Sequence, residues 1–290
     1  MKIYFLAFAT SDLYRSLKRI RFQASSMGIY NKIYTWNESN LERRYFLKNK
    51  DKLIIGSRGF GYWSWKPQII KQALENLHEG DILQYTDAGC HLNLRGKSRL
   101  TEYIQLAKNS ESGILAFQAR VPDHPLSWDI LRTPLDLEER KWVKGDLLDY
   151  FAIRDNQEVL SSPTIGAGII FIRKCAKSVD IIRKWSEAID SDFRLIDDTP
   201  SKSNNLKGFI EHRHDQAIFS ILCKINSVDT LSAYEYWYPL KNKKKPDWSI
   251  LKDYPIHAKR DLDYGVIKNL QKLIIRLRKK ILRAFYEEIK

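Results

Sequence analysis

Cysteine is nearly absent. The 290-residue chain holds three, Cys90, Cys175 and Cys223, with no metal-type spacing. An odd, scattered set excludes a disulfide framework and a cysteine-held zinc, and fits a reduced compartment. Long hydrophobic runs are missing too. No stretch reaches the roughly 18 apolar residues of a membrane span, so a soluble or peripheral protein is expected. The opening Met1 to Ala9 is short and carries one positive side chain, which argues for a first strand rather than a signal peptide. Neither the Walker spacing nor the dinucleotide glycine spacing occurs, and there is no internal repeat.

What is present is aromatic and basic. Hydrophobic residues make up 43% of the chain, with 8 Trp, 15 Tyr and 12 Phe. That is enough for a packed core, with rings to spare as stacking surfaces. The net charge of +14 points to an anionic partner: nucleic acid, anionic lipid or a nucleotide diphosphate.

Strand-like and helix-like runs alternate along the chain. Ile3–Ala9, Ile33–Trp36, Asp81–Asp87, Gly113–Phe117 and Thr164–Arg173 read as strands. Ser11–Gly28, Gln68–His78 behind Pro67, Arg99–Asn109, Lys144–Phe151, Ala176–Ile189 and a helix ending Gly208–Ile225 lie between or after them. This repeat predicts an α/β fold with a mainly parallel sheet. Ser191–Lys207, rich in Asp, Ser, Asn and Lys, reads as a mobile surface loop. Residues 266–290 place apolar side chains at helical spacing among five Lys, three Arg and two Glu. A basic amphipathic helix of this kind suits an anionic membrane surface, or packs on its own domain with a solvated basic face.

Four segments concentrate polar groups at element junctions. The run Asp81 to Cys90 ends in Asp87, followed at once by Ala88 and Gly89. Ligands of open α/β sheets sit beyond the carboxyl ends of such strands, although an Asp-Gly-type turn reads the same way. Arg58 to Pro67 combines Gly59 and Gly61 with four rings and puts Lys66 just before a predicted helix, where phosphate binding is favoured. Ser162 to Phe171 joins small residues, including Gly168, to an apolar strand. Phe209 to Phe219 holds two acids and two histidines. As a helix it places Glu211 and Asp215 on one face, so that either could act as a base toward a hydroxyl. His257, behind Pro255, could complete a metal site with Asp87, and the neighbouring Lys259 and Arg260 could neutralise a diphosphate.

Taken in order, these segments resemble a family of bacterial glycosyltransferases predicted from surface-polysaccharide gene clusters. Its members carry Gly-Tyr-Gly-Tyr-Trp-x-Trp-Lys-Pro, Tyr-x-Asp-Ala-Gly-Cys, a Lys-Arg-Asp-Leu-like helix and Glu-His-Arg-His-Asp-Gln. Here these read Gly59 to Pro67, Tyr85 to Cys90, Lys144 to Leu148 and Glu211 to Gln216, so the resemblance spans roughly residues 50 to 260. It implies a GT-A-like catalytic domain over 1–262, with 263–290 as a basic amphipathic helix. The expected reaction is transfer of a sugar from a nucleotide-diphosphate donor to a lipid-linked or growing glycan (O-antigen or capsule). The basic C-terminal segment places it at the inner face of the plasma membrane, and the lack of a nucleic-acid motif argues against nucleic acid as the partner. Asp215 and Glu211 are the expected catalytic acids. Asp87, Lys66, Trp65, Gly89, Gly168, His214, Lys259 and Arg260 are the expected donor contacts. The family type commonly uses an Asp-x-Asp metal motif, whereas the residues two either side of Asp87 are Tyr85 and Gly89. A divalent ion, Mn²⁺ or Mg²⁺, would therefore need Asp87 together with His257.

Overall fold

Strand β1 (Ile3–Phe8) sends Tyr4, Leu6 and Phe8 to one buried cluster and Phe5 and Ala7 to another. A strand covered on both faces is apolar throughout, which is why this run shows no polar alternation. The computed structural model describes residues 1–121, 137–237 and 248–261. Within them β2 (Lys32–Trp36), β3 (Ile82–Thr86), β5 (Ile114–Gln118), β6 (Ile165–Arg173) and β7 (Asp229–Ser232) join β1 in one sheet of order β2-β1-β3-β6-β5-β7. The β2-β1, β1-β3 and β5-β7 pairings are parallel, and β6 alone runs against the rest. The α/β expectation with a mainly parallel sheet therefore holds. Two short strands, β4 (His91–Leu92) and β8 (Ile256–His257), form a separate antiparallel ribbon.

Helices cover both faces. α1 (Tyr14–Met27) and α5 (Lys97–Asn109) bury Leu17, Ile20, Leu100 and Ile104 on the Phe5 side. α4 (Trp65–Glu75), α8 (Ala176–Ser191) and α9 (Asp215–Ile225) bury Ile69, Trp185 and Phe219 on the Tyr4 side. A small helix missed in the sequence, α2 (Arg43–Asn49), adds Tyr45 to this second layer. Among the described residues no helix is long and apolar enough to cross a membrane. The domain boundary at 262 and the expected helix over 263–290 lie outside the described residues.

Two expectations are corrected here. The Ser191–Lys207 loop is tied down from beneath. The buried Lys144 ammonium donates to Asp197 O and Thr199 O, and Asp146 accepts from the backbone of Lys202 and Ser203. The Lys144-Gly145-Asp146 segment thus serves as a brace, which polar composition alone does not reveal. Second, α9 begins at Asp215, and Glu211 to His214 precede it. Glu211 and Asp215 therefore do not share a helix face.

Candidate functional site

Tyr85 and Asp87 stand two residues apart, so the pleat points both toward the layer holding α4 and α9. α4 starts at Trp65 and brings Lys66 beneath Asp87, while α9 starts at Asp215 and brings that carboxylate alongside. Lys66 Nζ lies 2.9 Å from Asp215 Oδ2 and 3.6 Å from Asp87 Oδ1. The side chains of Lys66 and Asp215 are only 4% and 5% exposed, whereas Asp87 is 41% exposed. The pair thus forms a floor and Asp87 a rim. The Lys66 ammonium and Asp215 Oδ2 therefore form a close, buried ion pair within hydrogen-bond distance.

Asp87 is aimed by its neighbours. Tyr85 OH donates to Asp87 Oδ1 at 2.6 Å, and Asp87 N donates to Gly168 O at 2.8 Å. A Cβ on Gly168 would lie 2.9 Å from Asp87 Oδ2, so only glycine leaves that oxygen its position. The turn itself is clamped by Arg19, which donates to Ala88 O at 2.7 Å and to Asp261 O at 3.2 Å. Asp261 N in turn donates to Gly89 O. These bonds carry the exposed Lys259 and Arg260 to the Asp87 turn. Arg19 went unnoticed in the sequence, where Arg15, Lys18 and Arg21 surround it with equivalent charges.

Burial pushes the Asp215 carboxyl up to about 6, with Lys66 opposing and Asp87 reinforcing the rise. Burial also works against the Lys66 ammonium, but Asp215 and Asp87 outweigh it and raise its pKa. Burial, with Asp87 adding, holds the Tyr85 phenol well above its ordinary value, so it stays a donor to Asp87. The result is a fixed ammonium between a buried carboxylate and an accessible one, with the buried acid's pKa raised toward neutrality.

The Gly59–Trp63 segment has an unusual backbone. All five residues, three of them not glycine, have φ between 52° and 84°. Tyr62 N donates to Arg58 O and Trp63 N to Gly59 O, giving a left-handed turn, α3 (Gly59–Tyr62). Such a turn costs about 1–2 kcal/mol for each non-glycine residue. A Cβ on Gly59 would lie 2.5 Å from the Trp63 ring, so a side chain there is excluded. The turn brings Tyr62 and Trp63 to within 5.1 and 5.8 Å of the His214 ring, centre to centre. His214 is itself strained, with φ 54° and ψ −131°. Its Nδ1 donates to Ile196 O at 2.6 Å, which leaves Nε2 as a buried lone pair with no hydrogen-bond partner.

Not every expected residue reaches the site. Trp65 is buried, stacked on Phe8 at 4.1 Å with Nε1 donating to Gly59 O, so it supports the wall and offers no face to a ligand. Glu211 lies at the surface, paired with Arg213 at 3.0 Å. His257 donates Nε2–H to Leu251 O and stacks on Trp248 at 5.3 Å. Asp87 has the Lys66 ammonium 3.6 Å away, which opposes a dication, and no group of three or more His, Cys, Asp or Glu that could hold a metal occurs among the described residues. Hard divalent ions such as Mg²⁺ take several oxygen ligands. The Asp87–His257 pair therefore does not fit a protein-held metal.

No protein-family model and no curated protein sequence matches the chain. Solved structures do. The chain is similar to a glycosyltransferase involved in the glycosylation of the major capsid of PBCV-1, at 13% identity over 89% of this chain and 94% of that one, with a TM-score of 0.46. It is similar to mouse xyloside xylosyltransferase 1 at 8% identity over 89% and 97%, TM-score 0.43. It is also similar to the galactosyltransferase LgtC, in complex with donor and acceptor sugar analogs, at 13% identity over 81% and 74%, TM-score 0.38. These neighbours are glycosyltransferases, distant in both sequence and shape.

Proposed function

We propose that the chain is a glycosyltransferase that moves a sugar from a nucleotide-diphosphate donor to a lipid-linked or growing surface polysaccharide, of the O-antigen or capsule kind. The observation that carries this reading is the buried Lys66–Asp215 pair set beside the accessible Asp87 at the carboxyl end of β3. A titratable buried carboxylate beside an accessible one suits proton transfer and donor binding more than passive binding of a glycan or nucleic acid.

The chemistry follows from the residues. Asp87, with Oδ1 fixed by Tyr85, accepts hydrogens from donor hydroxyls through Oδ2, in the space that Gly168 leaves. Asp215 is ionised above about pH 6. In an inverting reaction it takes the acceptor hydroxyl proton as that oxygen bonds to the anomeric carbon and the bond to the diphosphate breaks. In a retaining reaction it orients the donor sugar instead. Stabilising the departing diphosphate is the larger electrostatic task, which falls to Lys66, Lys259 and Arg260. His214 and its aromatic neighbours line the sugar side.

The protein works at the inner face of the plasma membrane in this reading, with the basic 266–290 segment holding it to anionic lipid. A screen of nucleotide sugars for transfer, with and without Mn²⁺ or Mg²⁺, tests the activity. Stabilisation by UDP or GDP is the expected companion result. Salt-dependent DNA binding with no nucleotide effect would overturn it. Deleting residues 266–290 is expected to weaken binding to anionic vesicles and to spare transfer to a soluble acceptor. Equal vesicle binding would refute the role given to that segment.

A further inference from the structure

The segment between Arg43 and Arg58 exposes an unusual mixture of side chains. It carries six basic residues against the single acid Asp51. Lys48 pairs with Asp190, Arg58 pairs with Asp198, and Lys52 lies over the Phe193 ring. Arg43, Arg44 and Lys50 are exposed. Among them stand Leu47, Ile54 and Ile55, at 53%, 56% and 47% exposure, and the two isoleucines are the only sequence neighbours among the exposed large hydrophobics described. The other exposed aliphatic residues described stand singly, whereas Ile54 and Ile55 leave a contiguous β-branched pair in water on a basic loop, a cost that packing inside the domain does not offset.

From this we infer that the 43–58 surface docks on an anionic lipid bilayer, with Ile54 and Ile55 entering the interface and the basic groups meeting the headgroups. Each Lys or Arg near such a surface contributes about 1 kcal/mol, and buried aliphatic carbons add to it. Other occupants fit less well. The chain's own 266–290 segment carries the same sign of charge, and a second copy would set two basic faces together. Single-stranded nucleic acid is gripped by exposed rings, whereas the exposed side chains here are aliphatic.

The surface is joined to the walls of the candidate site. Arg58 opens the left-handed turn that presents Tyr62 and Trp63, and it crosses to Asp198 in the loop that also supplies Ile196 O to His214. Docking therefore sets the site beside the bilayer. That this delivers a lipid-linked acceptor rests on the glycosyltransferase reading, whereas the docking itself does not.

The three native cysteines are buried, so the full-length Ile55→Cys variant takes an environment-sensitive dye selectively at position 55. Vesicles of phosphatidylglycerol and phosphatidylcholine are expected to blue-shift and brighten that dye, while pure phosphatidylcholine leaves it unchanged. A label at Leu106, exposed on α5 across the sheet, is expected to stay silent. The Ile54→Ser/Ile55→Ser protein is expected to bind the anionic vesicles at least about tenfold more weakly, a loss of about 1.4 kcal/mol. A silent dye at 55, an equal response at 106, a response to DNA but not to vesicles, or unchanged affinity of the serine variant would each overturn the inference. None of these readouts depends on transfer activity.

Discussion

Replacing Lys66 by Met tests whether the site floor is an ion pair or a passive part of the core. Lys66 and Asp215 are almost completely buried, and the ammonium lies 2.9 Å from Asp215 Oδ2. Removing one partner of a buried pair typically costs about 3–5 kcal/mol, because the other charge is left uncompensated. The cost must depend on pH. Burial, less the pull of Lys66, already holds the Asp215 carboxyl at about 6 against an ordinary 3.8. An acid held above its unfolded value favours the folded state in its protonated form, so its contribution is complete below about 3.8 and is lost as pH rises through about 6. Without Lys66 that upper limit moves higher still. Urea unfolding of the variant at about pH 8 is therefore expected to show most of the 3–5 kcal/mol deficit. By about pH 5 Asp215 is largely neutral in both proteins and the deficit should shrink by more than half. Lys66→Met/Asp215→Leu is expected to recover much of the loss at pH 8. An equal deficit at both pH values, or no recovery in the double variant, would refute the buried pair.

Two further outcomes follow from the same geometry. Gly168→Ala places a methyl group 2.9 Å from Asp87 Oδ2 and forces the carboxylate off the Tyr85 hydroxyl. Transfer is expected to fall about 100-fold in kcat/KM, with the urea midpoint nearly unchanged because Asp87 can yield toward solvent; full activity would contradict it. Wild-type kcat/KM is expected to rise with pH through about 6, the value to which burial lifts Asp215, and Asp215→Asn should lose both the rise and about 100-fold or more in rate. A profile rising near pH 4 would point to an unperturbed carboxylate instead.

Much of the architecture could be read from the sequence, because a doubly covered sheet imposes a simple pattern. Ile3–Phe8 is apolar on both faces, Ile82–Thr86 is buried throughout with Gln84 and Thr86 as its polar members, and both sit between helical runs. Asp87 was visible for the same reason: a lone acid at the end of such a run breaks the pattern. The Lys66–Asp215 pair was not visible as a pair, since it depends on where two helix starts meet across a sheet strand. Glu211 was misplaced because the spacing in Glu211-His212-Arg213-His214-Asp215 suits a helix, and only the left-handed φ of His214 shows that the helix starts later. Gly59 and Gly61 suggested a tight loop, but five successive left-handed residues involve Phe60, Tyr62 and Trp63, which do not prefer that conformation. The Ser191–Lys207 loop has the composition of a mobile segment, yet buried Lys144 and the Asp146 carboxylate hold it. Long-range tethers of this kind leave no local trace.

The most direct test of the donor site is transfer by Asp87→Asn. The substitution keeps the size of the side chain and removes the charge that sits 3.6 Å from Lys66 on the accessible rim. With the nucleotide sugar that the wild-type protein uses, the variant is expected to retain its urea midpoint and to lose transfer. Wild-type turnover by a folded Asp87→Asn protein would contradict the assignment of this carboxylate to the donor.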